Sequence, residues 1–117
     1  MNTQREIFSQ IATAIIDILP KGEPFHYAVL EIKRLTANIG YSGFYINNNN
    51  NNKWLDIFNL NLDTKYIEEL YIITQTHLLV HKNWNRAKYT LFPDGKFEVE
   101  YTWDEALQNE VDKLNNL

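Results

Sequence analysis

The segment from Trp84 to Glu105, WNRAKYTLFPDGKFEVEYTWDE, constrains this chain more than any other, because its turn chemistry selects one strand register. In Phe92-Pro93-Asp94-Gly95-Lys96, proline presets the first turn position, aspartate suits the second, and glycine takes the left-handed conformation that closes a bulge. Pairing Phe92 with Lys96 sets Leu91 opposite Phe97, Tyr89 opposite Val99 and Ala87 opposite Tyr101, while Thr90 faces Glu98 and Lys88 faces Glu100. A two-residue turn at Asp94-Gly95 would instead oppose Leu91 to Glu98 and Tyr89 to Glu100. That mixes apolar with charged positions, which the two-residue side-chain period rejects. The hairpin therefore has one apolar face and one charged face.

The rest of the chain reads outward from that hairpin. Thr3 and Glu6 form a capping box ahead of a helical stripe of Ile7, Ile11, Ile15, Ile18 and Leu19, and Pro20, Gly22 and Pro24 end the helix. Phe25 to Arg34 is rich in strand formers, with Phe25, Tyr27 and Val29 pointing one way and Ala28, Leu30 and Ile32 the other, as in an interior strand. A turn near Thr36-Ala37-Asn38 leads to Ile39–Ile46, which pairs back as a second hairpin. The six asparagines Asn47 to Asn52 predict a long exposed loop that expanded without cost, and Lys53 to Leu60 a third strand. Asp63 or Thr64 caps a second helix reaching about Lys82, with Tyr66, Ile67, Leu70, Ile73, Thr74, His77, Leu78 and His81 on a broad stripe that Ile72, Leu79 and Val80 widen. Thr102 and Glu105 offer a capping box for a closing helix with Ala106, Leu107, Val111, Leu114 and Leu117 inward. The order α-β-β-β-α-β-β-α predicts one α+β domain over 1–117: an antiparallel sheet of about five strands with helices packed on it.

Length and composition fit a single core, since 117 residues with 44% hydrophobic and 14% aromatic content can fill one. No apolar run approaches the roughly 20 residues of a membrane helix, and the opening MNTQREIFSQ has none of the parts of a secretory signal, so a cytoplasmic location is expected. The net charge of −4 is unevenly spread: residues 94 to 117 hold seven acids against two lysines, a net −5, and the remainder sums to +1. An acidic C-terminal surface repels nucleic acid and attracts basic proteins over a Debye length of roughly 8 to 10 Å.

Catalytic motifs are missing from the sequence. There is no cysteine, no glycine-rich phosphate loop and no nucleophile elbow, so no catalytic or cofactor-binding residue is assigned. His77 and His81 share a helix face, yet Leu78, Leu79 and Val80 separate them and the glutamate of a zinc-protease helix is lacking; they read as structural, and His26 with them. Glu98, Glu100, Asp104 and Glu105 cluster near the hairpin end, but that face reads as wet, with Lys88 and Arg86 opposite Glu100 and Thr102 in exposed pairs worth under about 1 kcal/mol. Asp104 and Glu105 also suit a helix N-terminus.

Trp84, Ala87-Lys88-Tyr89-Thr90-Leu91, Asp94-Gly95-Lys96-Phe97, Glu98-Val99-Glu100-Tyr101 and Trp103-Asp104 together resemble the C-terminal signature of the YezG-like family of bacterial immunity proteins. The first helix ending at Pro20 and the Gly43-Phe44-Tyr45 strand are similar too, while the asparagine run and the short tail depart from the pattern. The resemblance implies a non-enzymatic antitoxin that neutralises a secreted or contact-delivered toxin domain, often a nuclease. On the charge pattern of this chain, Glu98, Glu100, Trp103, Asp104 and Glu105 are the expected toxin-binding residues, the acids meeting a basic nuclease surface and Trp103 serving as an aromatic anchor. Two other readings stay open: a small-ligand or regulatory domain with a pocket lined by Trp54, Tyr66 and Tyr89, and a homo-oligomerisation module using the second helix. With structural histidines, added zinc is expected to leave the melting temperature unchanged in a thermal scan; a rise of several degrees would restore a metal site.

Overall fold

A computed structural model describes residues 1–35, 38–76 and 83–115. Helix α1 (Gln4–Ile18) begins at the expected capping box, with Thr3 Oγ1 accepting from the Glu6 amide at 3.2 Å and Glu6 Oε1 accepting from the Thr3 amide at 3.2 Å. Strands β1 (Phe25–Arg34), β2 (Ile39–Asn47) and β3 (Asn52–Trp54) follow, then helix α2 (Thr64–Thr76), strands β4 (Arg86–Leu91) and β5 (Phe97–Thr102), and helix α3 (Glu105–Asn115). The five strands form one antiparallel sheet in the order β3-β2-β1-β4-β5, so the fold is α+β with the expected order of elements.

The anchoring hairpin has the register its turn dictates, from Leu91 opposite Phe97 to Ala87 opposite Tyr101. Gly95 sits at φ +88° and donates its amide to the Phe92 carbonyl at 3.0 Å, while the Phe92 amide donates to the Lys96 carbonyl at 2.9 Å. β1 is the interior strand its two apolar faces predict: Ala28 pairs with both Tyr45 and Leu91, and Leu30 with both Gly43 and Tyr89. Its inward residues Ala28, Leu30 and Ile32 join Tyr45, Ala87, Tyr89 and Leu91 in one core with Ile7, Ile11 and Ile15 of α1 and Ile67 and Leu70 of α2. Two polar atoms within that core are paired. Trp84 Nε1 donates to Thr74 Oγ1 at 2.8 Å, and the Tyr89 hydroxyl donates to the Phe8 carbonyl at 3.1 Å. Burial pushes the Tyr89 and Tyr101 hydroxyls up to about 12, so neither ionises near neutral pH.

Three expectations change. The third strand ends at Trp54: the Leu55 amide still bonds the Gly43 carbonyl at 3.0 Å and its side chain turns into the core, but the chain then coils into a short 3₁₀ turn over Ile57–Asn59. The asparagine run is a compact turn instead of a long loop. Asn47 is buried, its Oδ1 accepts from the amides of Asn49 and Asn51 at 3.0 and 2.9 Å, its Nδ2 donates to Glu23, and Asn50 takes the left-handed conformation at φ +63°. At α3 the cap is Asp104, whose Oδ1 accepts from the Leu107 amide at 3.0 Å, since Thr102 is still held in the sheet opposite Arg86. Of the residues expected to face inward there, Leu107 and Val111 are half-buried, whereas Ala106 and Leu114 are exposed. Asp63 caps α2, accepting from the Lys65 amide at 3.0 Å. The extension of α2 to Lys82, with His77 and His81, lies outside the described residues, as does Leu117.

Gly43 is where the inner face of β2 admits Leu55. A methyl group there would collide with the Val29 carbonyl oxygen and stand 2.7 Å from Leu55 Cδ1, whereas one at Gly40 would meet nothing. Gly43→Ala is therefore expected to lower unfolding free energy by about 1–3 kcal/mol. Gly40→Ala should raise it by about 0.5 kcal/mol through reduced chain entropy. Urea denaturation of the two variants checks the contrast.

Candidate functional site

Because paired residues of an antiparallel sheet project to the same side, the register tells which side chains lie on the face opposite α1 and α2. One cross-strand row runs Trp54, Phe44, Val29, Thr90, Glu98; the next runs Ser42, Glu31, Lys88, Glu100; a third runs Gly40, Lys33, Arg86, Thr102. This outer face is divided in two. The β3 end is aromatic, with Trp54 81% exposed beside a half-buried Phe44, and the β4–β5 end is charged. A shallow depression of about 210 Å³ lies on the charged half, bordered by Glu31, Lys88, Glu100, Arg86 and Thr102.

The predicted site residues fall into two groups. Glu98 and Glu100 are exposed on the outer face of β5, two residues apart. Among the described residues neither has a cation within ion-pair distance: Lys88 lies across from Glu100 without closing on it, and Arg86 is committed elsewhere. The expected cross-strand pair is thus replaced by one between Arg86 Nε and Asp104 Oδ2, at 2.7 Å. Asp104 belongs to a structural knot. Its amide donates to Asn85 Oδ1 at 2.7 Å, its carbonyl accepts from Asn85 Nδ2 at 2.8 Å, and its carboxylate caps α3. The Leu107 amide first, and the Arg86 guanidinium second, hold that carboxyl below the usual aspartate value. Trp103 is 48% exposed and donates from Nε1 to Glu105 Oε2 at 2.8 Å, so these two form a unit at the helix start.

Sequence reasoning missed Asn85, whose side chain is buried and ties the start of β4 to the end of β5. It also missed Glu31 and Lys33 as neighbours of the charged hairpin face, and Trp54 with Phe44 as its aromatic counterpart. The alternation within β1 would have put Glu31 and Lys33 on one face; the strand order decides that this face continues into Lys88 and Arg86. The pocket envisaged between Trp54, Tyr66 and Tyr89 does not form, since Trp54 is on the outer face and Tyr89 is buried on the inner one. Among the described residues, no group of three or more histidine, aspartate or glutamate side chains is arranged to hold a metal ion. Nor is any helix there long and apolar enough to cross a membrane. No protein-family model matches the chain, and no curated protein matches it.

The knot has a pH signature. Asp104 has a lowered folded value, so its stabilising contribution is full above the unfolded aspartate value of about 3.9 and fades as pH falls through the folded value. Asp104→Asn keeps a capping oxygen but loses the charge on Arg86. The stability gap between wild type and Asp104→Asn is expected to be constant from about pH 5 to 8 and to shrink below about pH 4. Chemical denaturation across that range reads it, and a gap independent of pH would show that the carboxylate contributes nothing as a charge.

Proposed function

We propose that this chain is an immunity protein, which binds and neutralises a basic toxin domain by occupying its surface, without chemistry on it, in the cytoplasm of the producing cell.

 The reading is carried by Glu98 and Glu100: two exposed carboxylates without ion-pair partners among the described residues, held two residues apart on a strand whose register is fixed by its own turn. The strand fixes the backbone and spacing of this carboxylate pair before any partner arrives, so only the two side chains have to order on binding. A nuclease, which needs a cationic groove for phosphates, presents the complementary charge.

The resemblance of the hairpin block to YezG-like immunity proteins supports the same reading. Trp103, half-exposed beyond the end of β5 and braced by Glu105, supplies aromatic area next to the acids. Asp104 then contributes by holding the hairpin and α3 together, with its charge shared with Arg86.

Co-expression with a candidate toxin domain, taken from a neighbouring gene where one encodes it, tests the role: growth is expected to be rescued and the two proteins to co-purify. The double variant Glu98→Lys/Glu100→Lys should associate about tenfold more slowly at low salt, with unchanged unfolding free energy. Unchanged association in a stopped-flow or surface-binding measurement would remove the two acids from the interface, and failure of the wild type to rescue growth would end the immunity reading.

A further inference from the structure

β5 is an edge strand: among the described residues no strand pairs with its outer side. In the β4–β5 ladder the Phe92 amide bonds Lys96, and the alternation of an antiparallel pair then turns the backbone groups of Glu98, Glu100 and Thr102 toward β4. The amides and carbonyls of Phe97, Val99 and Tyr101 point away from the sheet. Edge strands are ordinarily guarded by lysine, proline, a bulge or extreme shortness. The opposite edge, β3, is three residues long and carries Lys53. β5 is six residues long, has no lysine or proline between Phe97 and Thr102, and keeps an unbroken register with β4.

Its side chains define what can pair there. Across the outer face the charges alternate from strand to strand, Glu31 on β1, Lys88 on β4, Glu100 on β5, so the next position in that row calls for a cation. In the row beside it Glu98 has only Thr90 as inner neighbour and also faces an unfilled position. On the inner face Phe97, 43% exposed, stacks on Tyr89 with ring centroids 5.3 Å apart and leaves apolar area at the rim. A second copy of the chain is a poor occupant, because antiparallel self-pairing centred on Val99 sets Glu98 against the other copy's Glu100.

We propose that β5 is a docking edge that takes up an extended, basic segment of a protein partner as a sixth strand, with lysine or arginine at alternate positions facing Glu98 and Glu100 and apolar residues between them. Main-chain bonds to Phe97, Val99 and Tyr101 supply the attachment and the two carboxylates choose the partner. The identity of the partner as a toxin rests on the function proposed above; the pairing itself does not.

The probe is a nine-residue peptide of alternating lysine and valine, added to the full chain and followed by residue-resolved amide exchange. Exchange at Phe97, Val99 and Tyr101 is expected to slow at least tenfold, with Glu98 and Glu100 unchanged. Methylating the peptide's alternate backbone nitrogens on the pairing side should weaken binding at least tenfold at constant charge. Val99→Pro, which removes one outward donor and none used in the β4 ladder, should do the same; the methylated peptide serves if that variant does not fold. Binding without protection of those three amides, no binding, or a chain that dimerises through β5 on its own would each overturn the proposal. Growth rescue without amide protection would sink the edge mode alone, whereas protection without rescue would uphold the edge and sink the immunity reading.

Discussion

The pairing of β1 with β4 is the contact on which the rest of the molecule depends. β1–β2 and β4–β5 are local hairpins, each closed by a short connection, and a two-stranded hairpin alone is marginal in water. Aligning Ala28 with Leu91, Leu30 with Tyr89 and Ile32 with Ala87 fuses them into one sheet wide enough to seat α1 and α2. The same alignment sets Glu31 beside Lys88 and Lys33 beside Arg86, so the outer-face charge pattern is a by-product of the long-range register that builds the core. A change that weakened β1–β4 would therefore loosen the packing and dissolve the candidate surface together.

Much of the fold was legible because local chemistry and side-chain period agreed. Pro93-Asp94-Gly95 named its turn, and the alternation of Tyr89, Leu91, Phe97 and Val99 with Lys88, Thr90, Glu98 and Glu100 confirmed the register independently. The third strand was misjudged for the complementary reason. Trp54, Leu55, Ile57 and Phe58 are apolar, but a strand lasts only as long as a neighbour accepts its hydrogen bonds, and after Leu55 bonds Gly43 and turns inward the chain coils away into the turn over Ile57–Asn59. The asparagine run concealed a different difficulty. Six identical residues offer no signal of which one is buried, and only the approach of Glu23 and Tyr45 assigns that place to Asn47.

The candidate site was legible only as far as one hairpin reaches. Glu98 and Glu100 follow from the turn alone, and both lie where that register puts them. Asp104 was placed among them by nearness in sequence, yet the backbone leaves the sheet after Thr102, and Asn85, Arg86 and the first turn of α3 take up its polar atoms. Contributions from β1 needed the strand order, which pattern within a single strand does not contain. The aromatic half of the outer face was hidden likewise, since Trp54 and Phe44 become neighbours only through the β2–β3 pairing.

The three indoles are distributed in a way that makes the molecule its own optical instrument. Trp84 is sealed in the core between Tyr71 and Tyr101, whereas Trp54 and Trp103 are wet and stand at opposite margins of the sheet. Emission from the first tracks unfolding, while collisional quenchers in solution reach the other two. Single-tryptophan versions would thus separate events at the β3 margin from events past β5 without any added label.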